Sequence, residues 1–135
     1  MDININIFND TVKRHLPQKR IKEVVNNTLI NEKIKKANVN VILVENDYIQ
    51  DLNRKFLGHD YPTDVISFNF DEQELAGEIY ISIDTALIQA DEYKVSLTKE
   101  LLRLAVHGAL HLIGYNDDTE AKRMEMTHLE NKYII

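Results

Sequence analysis

His107 and His111 stand four residues apart, the spacing in this 135-residue chain that most directly suggests chemistry. On a helix, positions i and i+4 lie one turn apart on a single face, so both imidazoles can reach one ion at about 2.0–2.1 Å. Gly108 and Ala109 keep the flank of that turn slim. Gly114 can take the left-handed conformation that ends a helix, after which the chain can turn back and offer a third ligand. Asp117 stands at that place. It has a competing reading, because Asp117-Asp-Thr-Glu120 fits a capping box for a following helix. Asp118 can equally be the cap and leave Asp117 free; Asp118 or a water are the other candidates for third ligand. The chain has no cysteine, so any metal must be held by imidazole and carboxylate.

Three protein ligands leave a fourth position for water, and an ion there can lower that water's pKa toward ~7 or polarise a phosphoryl oxygen. The spacing also resembles His-Glu-x-x-His zinc peptidases, but Gly108 occupies the position of their general-base glutamate. A base must then come from another segment. Asp64, at the entry to a strand, and Glu100, near the start of the metal helix, are the acids to consider. Each has a plainer role available: Asp64 in fixing the Pro62-Thr63 turn, Glu100 in complementing the helix dipole.

The elements that must position these residues can be read from periodicity. Leu101 to Gly114 is apolar on almost every side apart from the histidines, which marks a central, buried helix. Ile3, Ile5 and Ile7 alternate with Asn4 and Asn6, a strand with one buried face. After Pro17, Ile21, Val24, Val25, Thr28 and Leu29 recur at helical spacing, predicting a helix to about Lys35. Val39 to Val44 is a continuous β-branched run, expected to be covered on both faces. Asn46 or Asp47 is expected to cap a helix with Ile49, Leu52 and Phe56 inward. Gly58 to Pro62 reads as a loop, Val65 to Phe70 and Gly77 to Ile83 as a hairpin joined by a turn over Asp71 to Ala76. Asp84 is expected to cap a helix to about Lys94, Ser96 or Thr98 one to Ile113, and a terminal helix follows from about Asp118. The expected class is mixed α/β: residues 1–135 as a single domain, an approximately four-stranded mixed sheet with helices packed around it, and a central metal-bearing helix arranged as in metzincins.

Composition bounds the function. A chain with 44% apolar residues and two prolines is long enough to bury one core. No basic leader and no run of ~18 apolar residues is present, so a soluble, cytoplasmic protein without membrane contact is expected. The net charge of -6 argues against whole-surface binding to polyanions. Basic residues would have to be gathered locally from Lys13, Arg14, Lys19, Arg20, Lys22, Lys33, Lys35, Lys36, Arg54, Lys55 and Arg103, all before or at the start of the metal helix and opposed to an acidic tail. Phe56, Tyr61 and Phe68 can stack bases, although core packing suits Phe56 and Phe68 better. His15 and His128 read as surface or packing residues.

His107-Gly-Ala-Leu-His111-Leu-Ile-Gly114-Tyr-Asn-Asp117 resembles the signature of the YbeY family of rRNA-maturation endoribonucleases, His-Gly-x-Leu-His-Leu-x-Gly-Tyr-Asp-His, whose three histidines hold zinc. Leu52-Asn53, Gly58, Asp60, Pro62-Thr63-Asp64-Val65, Ser67-Phe68 and Gly77-Glu78-Ile79 resemble the family pattern in the same order, and Glu100 and Leu104 fall on its acid and leucine before the first histidine. The resemblance spans most of the chain. It implies one Zn2+ per chain held by His107, His111 and Asp117, another divalent ion being the alternative. It also implies a single-strand-specific endoribonuclease acting on rRNA 3' ends and in ribosome quality control. The implied partners are single-stranded rRNA in the small ribosomal subunit and ribosome-associated proteins or a GTPase.

There are two departures from that pattern. Asp117 replaces the third histidine, which zinc permits at about 2.0–2.2 Å, while the added charge makes a bound water less acidic. Leu57 stands where many members carry an arginine thought to serve catalysis; His59, two residues on, or Arg54, one turn earlier, are the candidate substitutes. The segment after Asp117 is also about two residues shorter than in the family. Two rival functions stand beside the endoribonuclease: a zinc metallopeptidase, and a ribosome-assembly binding factor whose metal is structural, which gains weight from Leu57 and Asp117.

Overall fold

The computed structural model describes residues 2–13, 15–71 and 74–134; Arg14, counted above among the cations, lies outside them, as do Glu72 and Gln73 of the expected hairpin turn. The isoleucine–asparagine alternation forms β1 (Asp2–Asn9), parallel to β2 (Lys36–Val44), with Ile5 opposite Val39 and Ile7 opposite Val41. β2 is parallel to β4 (Leu75–Ser82), and β4 pairs antiparallel with β3 (Val65–Asp71), giving the order β1-β2-β4-β3. This is the four-stranded mixed sheet that the pattern predicts. Parallel neighbours need crossovers, and α1 (Gln18–Asn31) supplies the one between β1 and β2.

On one face of the sheet, Ile5, Val39, Val41, Ile79 and Ile81 pack beneath α1 and α4 (Leu97–Leu112). On the other face, Ile42, Val44 and Ile66 gather around Ile49 of α2 (Asn46–Leu52). The second half of β2 is therefore buried on both sides, as its unbroken apolar run requires. α4 touches β3, β4, α1, α3 (Ile83–Tyr93) and α5 (Glu120–Tyr133), which explains why it is apolar nearly all round. Its approach to the sheet depends on Gly108: a Cβ there would lie 2.5 Å from Cγ2 of Ile79. The Ser67 hydroxyl donates to the Gly108 carbonyl at 2.9 Å across the same contact.

Several boundaries differ from expectation for local reasons. α1 stops at Asn31, short of Lys35, because Lys33 takes a positive φ of 69°. Neither Asn46 nor Asp47 caps α2. Its N-cap is Glu45, and the carboxylate of Asp84 on α3 accepts from the Asn46 amide at 2.8 Å, capping in trans. Ser82, not Asp84, caps α3 by accepting from the Thr85 amide, and Ser96 caps α4. α2 runs into a π-helical turn over Asn53–Leu57 that ends at Gly58 with φ 73°. The wider turn breaks the i, i+4 spacing. Phe56 is thus turned outward and is 64% exposed instead of core-facing.

Candidate metal centre

α4 places His107 and His111 with their ring planes at 79° and their Nε2 atoms 3.0 Å apart. Beyond α4, Gly114 takes a φ of 110° and the chain turns back. Asp117 then lies with Oδ2 3.6 Å from Nε2 of His107 and 3.8 Å from Nε2 of His111. Ligands on one tetrahedral zinc at about 2.0–2.1 Å sit roughly 3.4 Å from one another. The three atoms have that spacing to within a few tenths of an ångström.

The other ring nitrogens say which way the lone pairs point. Nδ1 of His111 lies 3.0 Å from the Tyr115 carbonyl, which only accepts, so Nδ1 carries the proton. Nδ1 of His107 lies 2.7 Å from Oε2 of Glu130, and the short, charge-assisted contact assigns its proton the same way. Both Nε2 lone pairs then face Asp117 Oδ2. Three acceptors converge with no donor among them, an arrangement that a cation resolves, and the residues fit a metal in their chemistry as well as their spacing. Burial works to lower the His107 pKa, but the hydrogen bond and charge of Glu130, helped by Asp64 and Asp117, hold it above the ordinary value. Burial and the charge of His107 depress His111.

The capping alternative for Asp117 is not realised. α5 begins after Thr119, whose hydroxyl accepts from the Lys122 amide at 3.1 Å, so neither Asp117 nor Asp118 is the cap. Asp118 is exposed and pairs with Lys122. His107 and Asp117 open on a cleft of about 210 Å³ that Asp64 and Glu100 also line. Asp64 is fixed at the strand entry, accepting from its neighbour Val65 N at 2.8 Å and from Gln89 Nε2 at 3.2 Å. Glu100 is 1% exposed, its Oε1 has no hydrogen-bond partner, and burial pushes its carboxyl up to about 7 despite Arg103 nearby.

His59 is not brought into this cleft; it sits on the exposed loop beside the Tyr61 ring. Arg54 is committed to Asp51 and Asp60 and also lies outside the lining, and Leu57 is exposed at the end of the π turn. The guanidiniums that do line the cleft are Arg103 and Arg123, the second from the tail whose cations the basic set above leaves out. Arg123 donates to the Asp117 carbonyl at 3.2 Å. The largest omission is Glu130, buried on α5 and bound to both His107 and Arg103. Its signal is present in the chain: Met126, Glu130 and Tyr133 recur at i, i+4 and i+7, an inward stripe interrupted by an acid.

Known proteins resemble this chain over most of its length. The chain is 40% identical over 129 residues to the Endoribonuclease YbeY of Chloroherpeton thalassium, covering 95% of this chain and 92% of the relative. It is 43% identical over 114 residues to that of Acholeplasma laidlawii, covering 83% of each. The solution structure of TM1509 from Thermotoga maritima superposes with a TM-score of 0.66 at 34% identity, over 96% of this chain and 86% of that one. The family model described as Endoribonuclease YbeY matches residues 3–135, from the first strand through α5. A fold that puts two helical imidazoles against a carboxylate at the mouth of a cleft, and a match that runs from end to end of it, place this chain in the YbeY endoribonuclease family.

Proposed function

We propose that this chain is a zinc-dependent endoribonuclease that cuts single-stranded rRNA, acting in the cytoplasm on 3' ends of the small-subunit rRNA and in ribosome quality control, with residues 1–135 as one hydrolase domain. The observation that carries the reading is the convergence of His107 Nε2, His111 Nε2 and Asp117 Oδ2 with no donor among them, at the mouth of an open cleft. Structural zinc sites are closed by a fourth protein ligand, whereas a site with three ligands and solvent access suits catalysis. Zinc held there would acidify a water or polarise a phosphoryl oxygen.

The remaining work falls to groups already in the cleft. Asp64 is held by Gln89 and Val65 with its carboxylate toward the opening, and suits the acceptance of a proton. Glu100, with its carboxyl pushed up to about 7, can hold or release a proton at working pH. Arg103 and Arg123 supply the positive charge that Leu57 cannot. His59 is retained only as a contact to RNA on the exposed loop. Ribosome-associated proteins or a GTPase are the expected protein partners.

The test uses purified protein stripped of metal, then reloaded with zinc, and assayed on single-stranded and duplex RNA beside His111→Ala. Cleavage of the single strand that returns with zinc and is absent in the variant is expected. Intact RNA combined with zinc-dependent thermal stabilisation would instead make the metal structural and the protein a binding factor. Cleavage of unfolded protein with RNA left intact would make it a peptidase.

A further inference from the structure

The two groups that orient the imidazoles, the Tyr115 backbone carbonyl and the Glu130 carboxylate, stand on different segments, and one carboxylate outside the cleft ties those segments together. Glu32 follows the last residue of α1 and is half-buried. Its Oε1 accepts from the Tyr115 hydroxyl at 2.5 Å, and its Oε2 accepts from the Tyr133 hydroxyl. Tyr115 is the residue whose backbone carbonyl takes the Nδ1 proton of His111, and it lies on the turn leading to Asp117. Tyr133 is 2% exposed and packs with Val106 and Leu110 of α4; it sits one turn beyond Glu130, whose carboxylate takes the Nδ1 proton of His107. The contacts of Glu32 span 83 and 101 residues of sequence, so they join parts of the chain with no local reason to be in register.

We propose that Glu32 is a positioning residue for the metal centre, a single carboxylate that holds the Tyr115 turn and the end of α5 in register so that both imidazoles present Nε2 to the same point. The inference rests on the metal reading of the site. Loss of one phenol contact frees the turn that fixes His111 and Asp117; loss of the other frees the helix that fixes His107. A carboxylate suits the task because its two oxygens can each accept from a separate hydroxyl. A glutamine keeps both contacts only if one phenol reverses its role and accepts from the amide, so it should rescue in part.

The experiment compares Glu32→Ala, Glu32→Gln, Tyr115→Phe and Tyr133→Phe with the unaltered protein at a temperature where circular dichroism shows each metal-free variant folded. Zinc affinity is read by competition with a chromophoric chelator, and the d–d absorption of the Co2+-substituted proteins reports ligand geometry. The expected result is zinc affinity roughly tenfold weaker in Glu32→Ala, in the range found for groups that orient metal ligands. Its Co2+ bands should be altered, Glu32→Gln should recover part of the loss, and each Phe variant should lose part of the affinity. The proposal is overturned if the variants melt earlier yet bind zinc as tightly as the unaltered protein with an unchanged Co2+ spectrum, since Glu32 would then only rivet α1 to α5. Should Glu32→Ala not fold, the two Phe variants, each lacking one oxygen atom, decide the matter by the same readouts. Failure of the unaltered protein to bind zinc would sink the metal reading and this inference together, whereas tight zinc binding by the unaltered protein and all variants alike sinks this inference alone.

Discussion

Replacing Glu130 by glutamine tests whether His107 is a tuned ligand or merely a histidine near a metal. The carboxylate, 6% exposed, accepts from His107 Nδ1 at 2.7 Å with one oxygen and from the Arg103 guanidinium at 3.1 Å with the other. Glutamine has a single oxygen. If that oxygen faces His107, the amide NH2 meets Arg103, donor against donor. If it faces Arg103, the NH2 meets Nδ1, which must then accept, and the proton moves to Nε2, where a metal needs a lone pair. Either way the loss falls on metal binding. Groups that orient a ligating histidine are worth about 10–100-fold in affinity, or roughly 1.4–2.7 kcal/mol. Zinc competition at neutral pH should show Glu130→Gln weaker by that factor, with single-stranded RNA cleavage recovering only at raised zinc concentration. Because breaking a buried ion pair also costs stability, unfolding of the metal-free variant is measured in parallel. A zinc affinity within twofold of the unaltered protein, in a variant that folds, would refute the assignment of the His107 tautomer to Glu130.

Three other outcomes follow from the same geometry. Asp117→Ala should cost zinc affinity strongly, while Asp118→Ala, whose exposed carboxylate pairs with Lys122, should leave it unchanged; equal effects in a chelator competition would void the choice of ligand. Burial raises the Glu100 carboxyl from 4.5 to about 7, so the folded protein holds a proton that the unfolded chain gives up first. The stability this group confers is then complete below pH ~4.5 and drains away as pH rises through ~7. Denaturant titrations of metal-free protein should therefore find Glu100→Gln similar to the unaltered protein at pH 5 and more stable at pH 8, by on the order of 3 kcal/mol; a pH-independent difference would contradict it. Gly108→Ala gains about 1 kcal/mol of helix propensity, but its Cβ would lie 2.5 Å from Ile79 Cγ2. Overpacking of that kind costs about 1–3 kcal/mol, so the midpoint of unfolding should fall rather than rise.

What could be read from the residues was whatever depends on one element at a time. His107 and His111 belong to a single helix, so i, i+4 spacing alone places them on one face, and their Nε2 atoms are found 3.0 Å apart, close enough to share one ion. Gly114 announced the turn toward Asp117 because a positive φ is a local demand. Choosing between Asp117 and Asp118 required knowing where α5 starts, and three candidate caps stand in succession there; Thr119 takes the role. Glu130 shows locally only as an acid within the Met126, Glu130, Tyr133 stripe; its role comes from packing against a helix 23 residues away, on a segment that otherwise reads as polar surface. Phe56 misled because nothing in its neighbours marks the π turn that rotates it outward.

The chemistry open to α4 is decided by how its faces are shared out. At about 100° per residue, Glu100, two turns before His107, falls within about 20° of it around the axis. Glu100, Leu104 and His107 accordingly all reach the cleft. Gly108 lies about 100° away, on the side that meets β3 and β4, where Ser67 and Ile79 leave no room for a Cβ. A glutamate at 108, the position of the base in zinc peptidases with the His-Glu-x-x-His spacing, would be driven into the sheet rather than toward a bound substrate. The acids lining this cleft are Glu100 on the same helix, Asp64 at the strand entry, Asp117 and Glu130, with Arg103 and Arg123 beside them, and on the function proposed above Glu100 and Asp64 are the groups available for proton transfer. The two guanidiniums stand in that lining among the carboxylates of Asp64, Asp117 and Glu130, and the fixed negative charge of a phosphodiester can pair with them where a neutral peptide bond cannot.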